Sequence, residues 1–333
     1  MWNFKQLAMQ ICAEPNNRCF SRMETNMRLS YIPDSLGHLK LDHMLDTVHA
    51  LGVDAIELTT GNWSEAPHIN LDELVSDSES RKRLQESFSS RNMEIVALNC
   101  SGNPLAYEKD MEVTLKTFQL SEQLGIKKVV MMSGLPSGCK NDITPVWITT
   151  SWPPMTQDIL KYQWEEVAIP KWIKLVEQAK NFGIEKIALE NHGWQLVYNP
   201  ETLLKLRKEV GPMIGMNLDP SHLFWMGGDP IEALRELGDA LYHIHAKDSR
   251  LERRLLGPNG VLDTKPIEEY SNRSWNYVAV GCGHSGQWWK EFFSVARMIG
   301  YNDVVSLEME DLTMDALTGV KMSIEVIRQG LGI

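Results

Sequence analysis

The stretch Ile187–Asp248 decides the fold of this chain, because it repeats one pattern three times. It contains IALENHG (187–193), MNLDPSHLFW (216–225) and YHIHAKD (242–248). Each segment is a short apolar run that ends in residues of metal-ligand type. A fourth copy of the pattern, VVSLEMED (304–311), lies near the end of the chain. We interpret the four segments as the carboxyl ends of successive parallel strands that converge on one divalent metal ion.

Outward from this stretch, strand-like and helix-like segments alternate along nearly the whole chain. Buried, non-alternating apolar strands separated by helices are typical of a parallel sheet covered by helices. Eight such units predict a (β/α)8 TIM barrel, formed by residues 1–333 as a single domain. A doubly wound open sheet is the alternative, but the first βα turn has no GxGxxG sequence. The strands are predicted near residues 7 (Leu7–Cys12), 54, 94, 127, 185, 213, 241 and 303.

Two connections are longer than a βα unit needs. They are residues 135–161 after the fourth strand and residues 247–285 after the seventh. Both are expected at the C-terminal face of the barrel, where barrel enzymes have their active sites. Their tryptophans and prolines favour a lid or an interface.

The composition excludes several classes of protein. With 33 Lys and Arg against 44 Asp and Glu, the formal net charge is −11, which disfavours nucleic-acid binding. The five cysteines show no CxxC pair and no disulfide pattern. Neither a signal peptide nor a membrane-spanning run of apolar residues is evident. These features together predict a cytoplasmic globular protein.

The predicted metal ligands come from the ends of strands five to eight. A single Glu after a strand is most often a solvated loop residue, and a single His in an apolar run is most often a core side chain. Four such residues at the ends of consecutive strands are a stronger signal, because neighbouring strands lie about 4.8 Å apart and their terminal side chains can converge on one ion. His245 is preferred to His243 because it is nearer the strand end. Three carboxylates and one imidazole favour Mn²⁺, with Mg²⁺ or Co²⁺ as alternatives. The four ligands are Glu190, Asp219, His245 and Glu308.

Five further residues are candidates for contact with a substrate. His222 follows Asp219 by three residues, and a helix-start His that caps a turn is the structural alternative. For Glu57, an N-cap or a salt bridge is an equal alternative. No glycine-rich phosphate cradle is evident, so a substrate without phosphate is favoured. The five candidates are His222, Lys247, Glu57, His192 and Trp63.

This set of residues suits the abstraction of a proton next to a carbonyl group. A metal that chelates carbonyl and hydroxyl oxygens lowers the pKa of the intervening C–H and stabilises the enediolate. One carboxylate would remove the proton, and another would return one from the opposite face. We expect Glu190 and Glu308 to form this catalytic pair.

The segments IALENH, NLDPSH, HIHAKD and SLEMED resemble the sugar phosphate isomerase/epimerase family of xylose-isomerase-like TIM barrels. In ketose 3-epimerases of that family, a Glu, Asp, His and Glu from consecutive strands bind a manganese-type ion, and the two Glu are the acid and base. The resemblance carries these roles to Glu190, Asp219, His245 and Glu308, and a sugar contact to His222. The family's substrate-contacting Arg has no certain counterpart. WITTSWPP and LDPSHLFWMG resemble a subgroup that contains the large subunits of C-glycoside deglycosidases.

Several functions remain open. The favoured one is a metal-dependent isomerase or epimerase of a keto sugar or related polyol, expected as a homo-oligomer. A lyase that acts on 3-oxo-glucosides by the same abstraction followed by β-elimination is the second, and would bring a small second subunit. Endonuclease IV-like cleavage needs more His ligands and a basic groove, which nine His and the acidic charge disfavour. A non-catalytic barrel is the fourth. The sequence identifies neither the sugar nor the stereocentre.

Overall fold

A closed barrel of eight parallel strands forms the centre of the molecule, as the sequence predicts. The structure, a computed structural model, describes residues 27–333. Going round the barrel, the strands follow the order β1-β10-β7-β6-β5-β4-β3-β2, while β8 and β9 pair separately as an antiparallel hairpin. The strands are β1 Arg28–Tyr31, β2 Ala55–Thr59, β3 Glu94–Asn99, β4 Lys128–Met131, β5 Lys186–Glu190, β6 Ile214–Leu218, β7 Leu241–Ala246, β8 Asp248–Leu251, β9 Trp275–Val278 and β10 Val304–Leu307.

Helices surround the barrel, and most of them bury one face against it, whereas α10 in the connection after β7 buries no residue. In α6, for example, Trp172, Leu175, Val176 and Ala179 are buried at the i, i+3, i+4, i+7 spacing of a single face. The helices are α1 Leu41–Ala50, α2 Leu71–Ser76, α3 Ser78–Ser89, α4 Glu108–Leu124, α5 Met155–Lys161, α6 Ile169–Asn181, α7 Pro200–Val210, α8 Pro220–Met226, α9 Pro230–Leu237, α10 Arg253–Asn259, α11 Gly286–Met298 and α12 Ala316–Leu331. Within residues 27–333, none of them is both long and apolar enough to cross a membrane.

The first strand of the barrel differs from the prediction. It is Arg28–Tyr31, which pairs with both β2 and β10 and so closes the barrel. The predicted strand Leu7–Cys12 lies outside the described residues. The sequence of β1 is Arg-Leu-Ser-Tyr, in which the arginine is exposed and the other three residues are buried, so the strand contains no run of apolar residues that would mark it.

The connection after β4 is long, as predicted. The last seven residues of the segment 135–161 form α5, which begins at Met155. The helix continues through a π-helical segment, Tyr162–Ala168, into α6. Aromatic and proline residues in this region obscured the helical spacing.

The connection after β7 is long, as predicted, and forms an arm. It contains β8, α10 and β9, and its two ends are fastened together by Asp248. The Oδ2 atom of Asp248 accepts hydrogen bonds from the backbone N–H groups of Gly281 (3.0 Å), Gly283 (3.1 Å) and His284 (2.9 Å). The start and the end of the arm therefore meet at one buried carboxylate.

Gly215 in β6 provides a test of how tightly the barrel wall is packed. A Cβ atom there would lie 2.3 Å from the ring of Tyr242 and 2.7 Å from the carbonyl oxygen of Ala240. We expect Gly215→Ala to lower the free energy of unfolding by about 1–3 kcal/mol, the usual cost of overpacking. Urea denaturation followed by circular dichroism measures this change. Gly257→Ala is the control, since its Cβ would meet nothing within 4 Å. Equal stability of the two variants would contradict the prediction.

Candidate metal centre

The four predicted ligands lie at the carboxyl ends of neighbouring strands. Glu190 is the last residue of β5, and His245 is the fifth residue of β7. Asp219 and Glu308 directly follow β6 and β10. Pro220, at the first position of α8, ends the strand and leaves Asp219 as the N-cap of the helix. The register pairs Glu190 with Asn217 and His245 with Ser306, so Asp219 and Glu308 each lie two residues beyond a paired position, and all four residues are at the carboxyl end of the barrel.

The four side chains converge on one point. Each offers one ligand atom, and these atoms all lie within 4.8 Å of one another. The Nδ1 atom of His245 is 3.1 Å from Oε2 of Glu308 and 3.5 Å from Oε2 of Glu190. Glu308 is the most exposed of the four, with 21% of its side chain accessible, and the other three are buried. The cluster therefore has one open side.

Three atoms of this cluster show that it fits a cation. Asp219 Oδ2, His245 Nδ1 and Glu308 Oε2 are buried and have no hydrogen bond of regular geometry with any residue in 27–333. Each atom still has an ion-pair contact at 3.0–3.3 Å, with His222, with Lys247 or with another of the three. One divalent ion would coordinate all three atoms at once. A ligand set of carboxylate oxygens with one imidazole is typical of Mn²⁺, Mg²⁺ or Co²⁺ sites, whereas structural zinc sites commonly contain thiolates.

Glu57, expected to contact substrate, instead contacts the other side of His245. Its Oε1 atom accepts hydrogen bonds from His245 Nε2 (3.1 Å) and Asn99 Nδ2 (2.7 Å), and its Oε2 accepts one from His243 Nε2 (2.7 Å). A carboxylate on one ring nitrogen of a metal-binding His fixes the tautomer that leaves the other nitrogen free for the metal. Glu57 is fully buried and contacts two histidines inside the barrel, and its contact with substrate stays a prediction.

His222 lies against the ligand carboxylates. Its Nε2 atom is 3.0 Å from Glu190 Oε1 and 3.3 Å from Asp219 Oδ2. Burial opposes the charged imidazolium, but the charge of Asp219 and the hydrogen bonds to Asp219 and Glu190 together outweigh it and raise the pKa of His222 to about 9. The hydroxyl of Tyr277 forms a hydrogen bond with Nδ1 at 3.2 Å. Tyr277 comes from β9 in the arm, and no signal in the sequence placed it here.

Lys247 supplies the positive charge nearest to the ligands. Its Nζ atom is 3.0 Å from Glu308 Oε2, 3.2 Å from Glu310 Oε2 and 3.3 Å from Asp219 Oδ2. Burial opposes the charged ammonium, but these three carboxylates together raise the pKa of Lys247 well above its usual value. Glu310 was not among the predicted residues. Its position two residues after Glu308 in an extended segment places both on one side, and this alternation could have identified it.

His192 and Trp63 form one edge of the site. The rings of His192 and His222 are 4.1 Å apart between centroids, and the ring of Trp63 is 5.4 Å from that of His192. Trp63 is 45% exposed. The structure thus places four of the five candidate contact residues around the four predicted ligand side chains, and Glu57 inside the barrel.

Comparison with known sequences identifies close similarity along most of the chain. The family model described as xylose isomerase-like TIM barrel matches residues 45–330. The uncharacterized protein YfiH of Bacillus subtilis (strain 168) is 58% identical over 309 residues, which are 91% of this chain and 99% of that protein.

Solved structures with the same fold share much less sequence. The probable 3-DHS dehydratase AsbF of Bacillus anthracis has a TM-score of 0.63 at 19% identity, with 90% of this chain and 98% of that chain covered. The IOLI protein with a binding zinc atom has a TM-score of 0.62 at 20% identity (92% and 100% covered). A D-tagatose 3-epimerase-like protein has a TM-score of 0.58 at 21% identity (92% and 100% covered). At these identities the similarity establishes the fold.

Glu57→Gln tests the assigned role of Glu57. The amide presents one oxygen and one NH₂ group where two imidazoles now donate to a carboxylate, so His245 loses its fixed orientation. We expect Mn²⁺ binding, measured by isothermal titration calorimetry, to weaken by about 10–100-fold. The control is Glu177→Gln on the exposed face of α6. An unchanged Mn²⁺ affinity in a folded Glu57→Gln protein would remove Glu57 from the metal centre.

Proposed function

Since this chain belongs to the xylose isomerase-like TIM barrel family, we propose that it is a metal-dependent isomerase or epimerase of a keto sugar or related polyol. One observation carries the proposal, namely the four ligand atoms that meet within 4.8 Å at the C-terminal face of the barrel. An open side and a fixed ligand geometry are what a catalytic metal site needs, because a substrate oxygen must also reach the ion.

Glu190, Asp219, His245 and Glu308 would hold the ion, for which Mn²⁺ is our first choice and Mg²⁺ or Co²⁺ the alternatives. A bound ion would polarise the substrate carbonyl and stabilise the negative charge that develops on its oxygen. Asp219 contributes only Oδ2, because its Oδ1 caps α8 through the backbone N–H of Ser221 at 2.8 Å. The helix therefore fixes the direction in which Asp219 presents its free oxygen.

Glu190 and Glu308 are the proposed acid and base. One would remove a proton from the carbon next to the carbonyl, and the other would return a proton from the opposite face, which inverts the centre. Their surroundings differ. Glu190 is buried and held by His222, whereas Glu308 is partly exposed and lies beside Lys247. The two carboxylates are thus equipped for different steps.

His222 and Lys247 are the proposed contacts to substrate oxygens. Both carry N–H groups beside the cluster, and both are held there by carboxylates that also define the metal site. His192 and Trp63 would form the wall against which the carbon skeleton of the substrate packs. Because the cluster contains three carboxylates and Glu310 lies at its edge, a neutral substrate is favoured over an anionic one.

Hydrogen exchange tests the proposed proton abstraction. Protein loaded with Mn²⁺ and incubated with keto hexoses in D₂O should introduce deuterium at the carbon next to the carbonyl, observed by NMR. Glu190→Gln and Glu308→Gln should each slow the exchange by about 10²–10⁴-fold, the usual contribution of a general acid or base. Rates are compared per bound metal, because both residues are also ligands. Glu185→Gln, just before β5, is the control. Exchange that is absent, or independent of metal, would reject the proposal.

A lyase is the second candidate, and Tyr277 is the observation that favours it. An elimination needs a proton for the leaving group, and the Tyr277 hydroxyl lies 3.2 Å from His222 at the edge of the site. The probable 3-DHS dehydratase AsbF shares this fold. In this case the substrate would be a 3-oxo-glucoside, and the same abstraction would be followed by loss of the aglycone.

Tyr277→Phe distinguishes the two candidates. If the protein is a lyase in which Tyr277 protonates the leaving group, the variant should release aglycone from a 3-oxo-glucoside at least about 10²-fold more slowly than the wild type. Deuterium exchange at the carbon next to the carbonyl should persist in the same sample. Tyr270→Phe, an exposed residue of the same arm, is the control. If wild-type protein exchanges deuterium but releases no aglycone, the lyase is excluded and the isomerase stands.

A further inference from the structure

Two tryptophan side chains form an exposed apolar patch at the mouth of the barrel. Trp63 is 45% exposed and Trp194 is 40% exposed, and their ring centroids are 6.4 Å apart with an angle of 36° between the rings. Single exposed apolar side chains are normal on protein surfaces, whereas contiguous patches of them commonly mark a binding site. The two indoles are in contact and both are accessible, so they offer one continuous aromatic surface.

The backbone conformation of Trp194 indicates that this side chain has a function. Its φ angle is +65°, in the left-handed region that glycine and asparagine adopt most readily. A bulky residue in this region is strained, and strained residues are concentrated at functional sites. The preceding residue, Gly193, packs so closely on the ring of Trp225 that a Cβ atom would lie 2.5 Å from it. The turn is thus held against α8 and presents Trp194 from a fixed backbone.

Hydrogen bonds also fix the backbone that carries Trp63. The N–H of Trp63 donates to the carbonyl oxygen of Ser101 at 2.9 Å. The hydroxyl of the next residue, Ser64, donates to Asp34 Oδ2 at 2.5 Å, and the hydroxyl of Thr59 donates to Asp34 Oδ1 at 2.6 Å. Asp34 therefore joins the segment before Trp63 to the segment after it. A surface that is fixed before a ligand arrives loses less conformational entropy on binding.

The tryptophan pair is connected to the metal centre by a row of rings. Trp63 follows β2 and Trp194 follows β5, and β3 and β4 lie between these strands in the barrel, whereas the four predicted ligands come from β5, β6, β7 and β10. The ring centroid of His192 is 5.4 Å from that of Trp63 and 4.1 Å from that of His222. His222 Nε2 is in turn 3.0 Å from Glu190 Oε1. A ligand that begins at the metal centre and follows these rings reaches the pair.

We propose that the substrate contains two linked rings, of which the metal centre holds the reacting sugar and the pair Trp63 and Trp194 holds the second ring. This inference rests on the function proposed above and adds the size of the substrate. His222 and His192 stand between the metal ligands and the pair, so the reacting sugar lies beside these histidines and the second ring covers the indoles. An indole binds a ring with a flat apolar face, which an aromatic ring and a pyranose sugar both provide.

Compounds with one and with two rings test the proposal. The probes are methyl D-glucoside and phenyl D-glucoside, each in its α and β forms, and the disaccharides maltose and cellobiose. Dissociation constants are measured by saturation-transfer NMR on the full-length protein loaded with Mg²⁺, which is diamagnetic. A phenyl glucoside or a disaccharide should bind at least about tenfold more tightly than the methyl glucoside of the same anomer. The tighter of the two identifies the second ring as aromatic or as a sugar.

Trp194→Asn removes the indole and places at this position a residue that adopts the left-handed region readily. The variant should bind the one-ring and two-ring probes with nearly equal dissociation constants. Because the substitution relieves backbone strain, its melting temperature should be no lower than that of the wild type, which separates lost binding from lost folding. Tyr107→Asn is the matched control, since Tyr107 at the start of α4 is 42% exposed, and it should keep the tenfold difference.

Two results would overturn the proposal. One is equal binding of one-ring and two-ring probes by the wild type, and the other is an undiminished difference in folded Trp194→Asn protein. Deuterium exchange distinguishes this failure from failure of the proposed function. If free keto hexoses exchange deuterium but two-ring probes bind no better, the reaction stands and the second ring is rejected. If two-ring probes bind better but no keto sugar shows metal-dependent exchange, the reaction is rejected and the pair stands as a binding site.

Discussion

Mutual repulsion of buried carboxylates is the constraint on which the site depends. Closure of the barrel brings Glu190, Asp219 and Glu308 into one space, and Glu310 adds a fourth negative charge at its edge. Lys247 offsets part of this charge from a single nitrogen. A divalent ion would offset the rest, so we regard metal binding and the stability of this end of the barrel as linked quantities.

The polar interior of the barrel follows from the same requirement. A TIM barrel normally fills its centre with branched apolar side chains, yet here Glu57, His243 and Ser306 lie inside it. His243 Nε2 contacts both Glu57 Oε2 (2.7 Å) and Ser306 Oγ (2.9 Å), while its Nδ1 is buried without a hydrogen bond within residues 27–333. These polar groups take the place of apolar packing, and through Glu57 they hold His245 in one orientation. Natural proteins replace apolar core packing in this way mainly at functional sites.

The sequence predicts the barrel and the metal ligands because both follow from periodic structure. A ligand at the end of a parallel strand must lie near the ligand at the end of its neighbour, so Glu190, Asp219, His245 and Glu308 are predictable together. The position of Tyr277 depends on how an irregular arm folds back, which no periodic pattern encodes. The position of Glu57 escaped prediction for another reason. Glu57 is the third of the five residues of β2 and not its last, and the register of β2 shifts at Ile56/Glu57, so its side chain lies inside the barrel.

The hydrogen bonds that join the two ends of the arm at Asp248 affect how the sequences of related proteins can diverge. Both ends of the arm are bonded to the carboxylate of Asp248. The position of residues 252–274, between β8 and β9, is therefore fixed only at the two ends of this segment. This outer part could be lengthened, shortened or exchanged while Tyr277 keeps its place against His222. The arm therefore behaves as an interchangeable module, in which new recognition surfaces can evolve without disturbing the catalytic geometry.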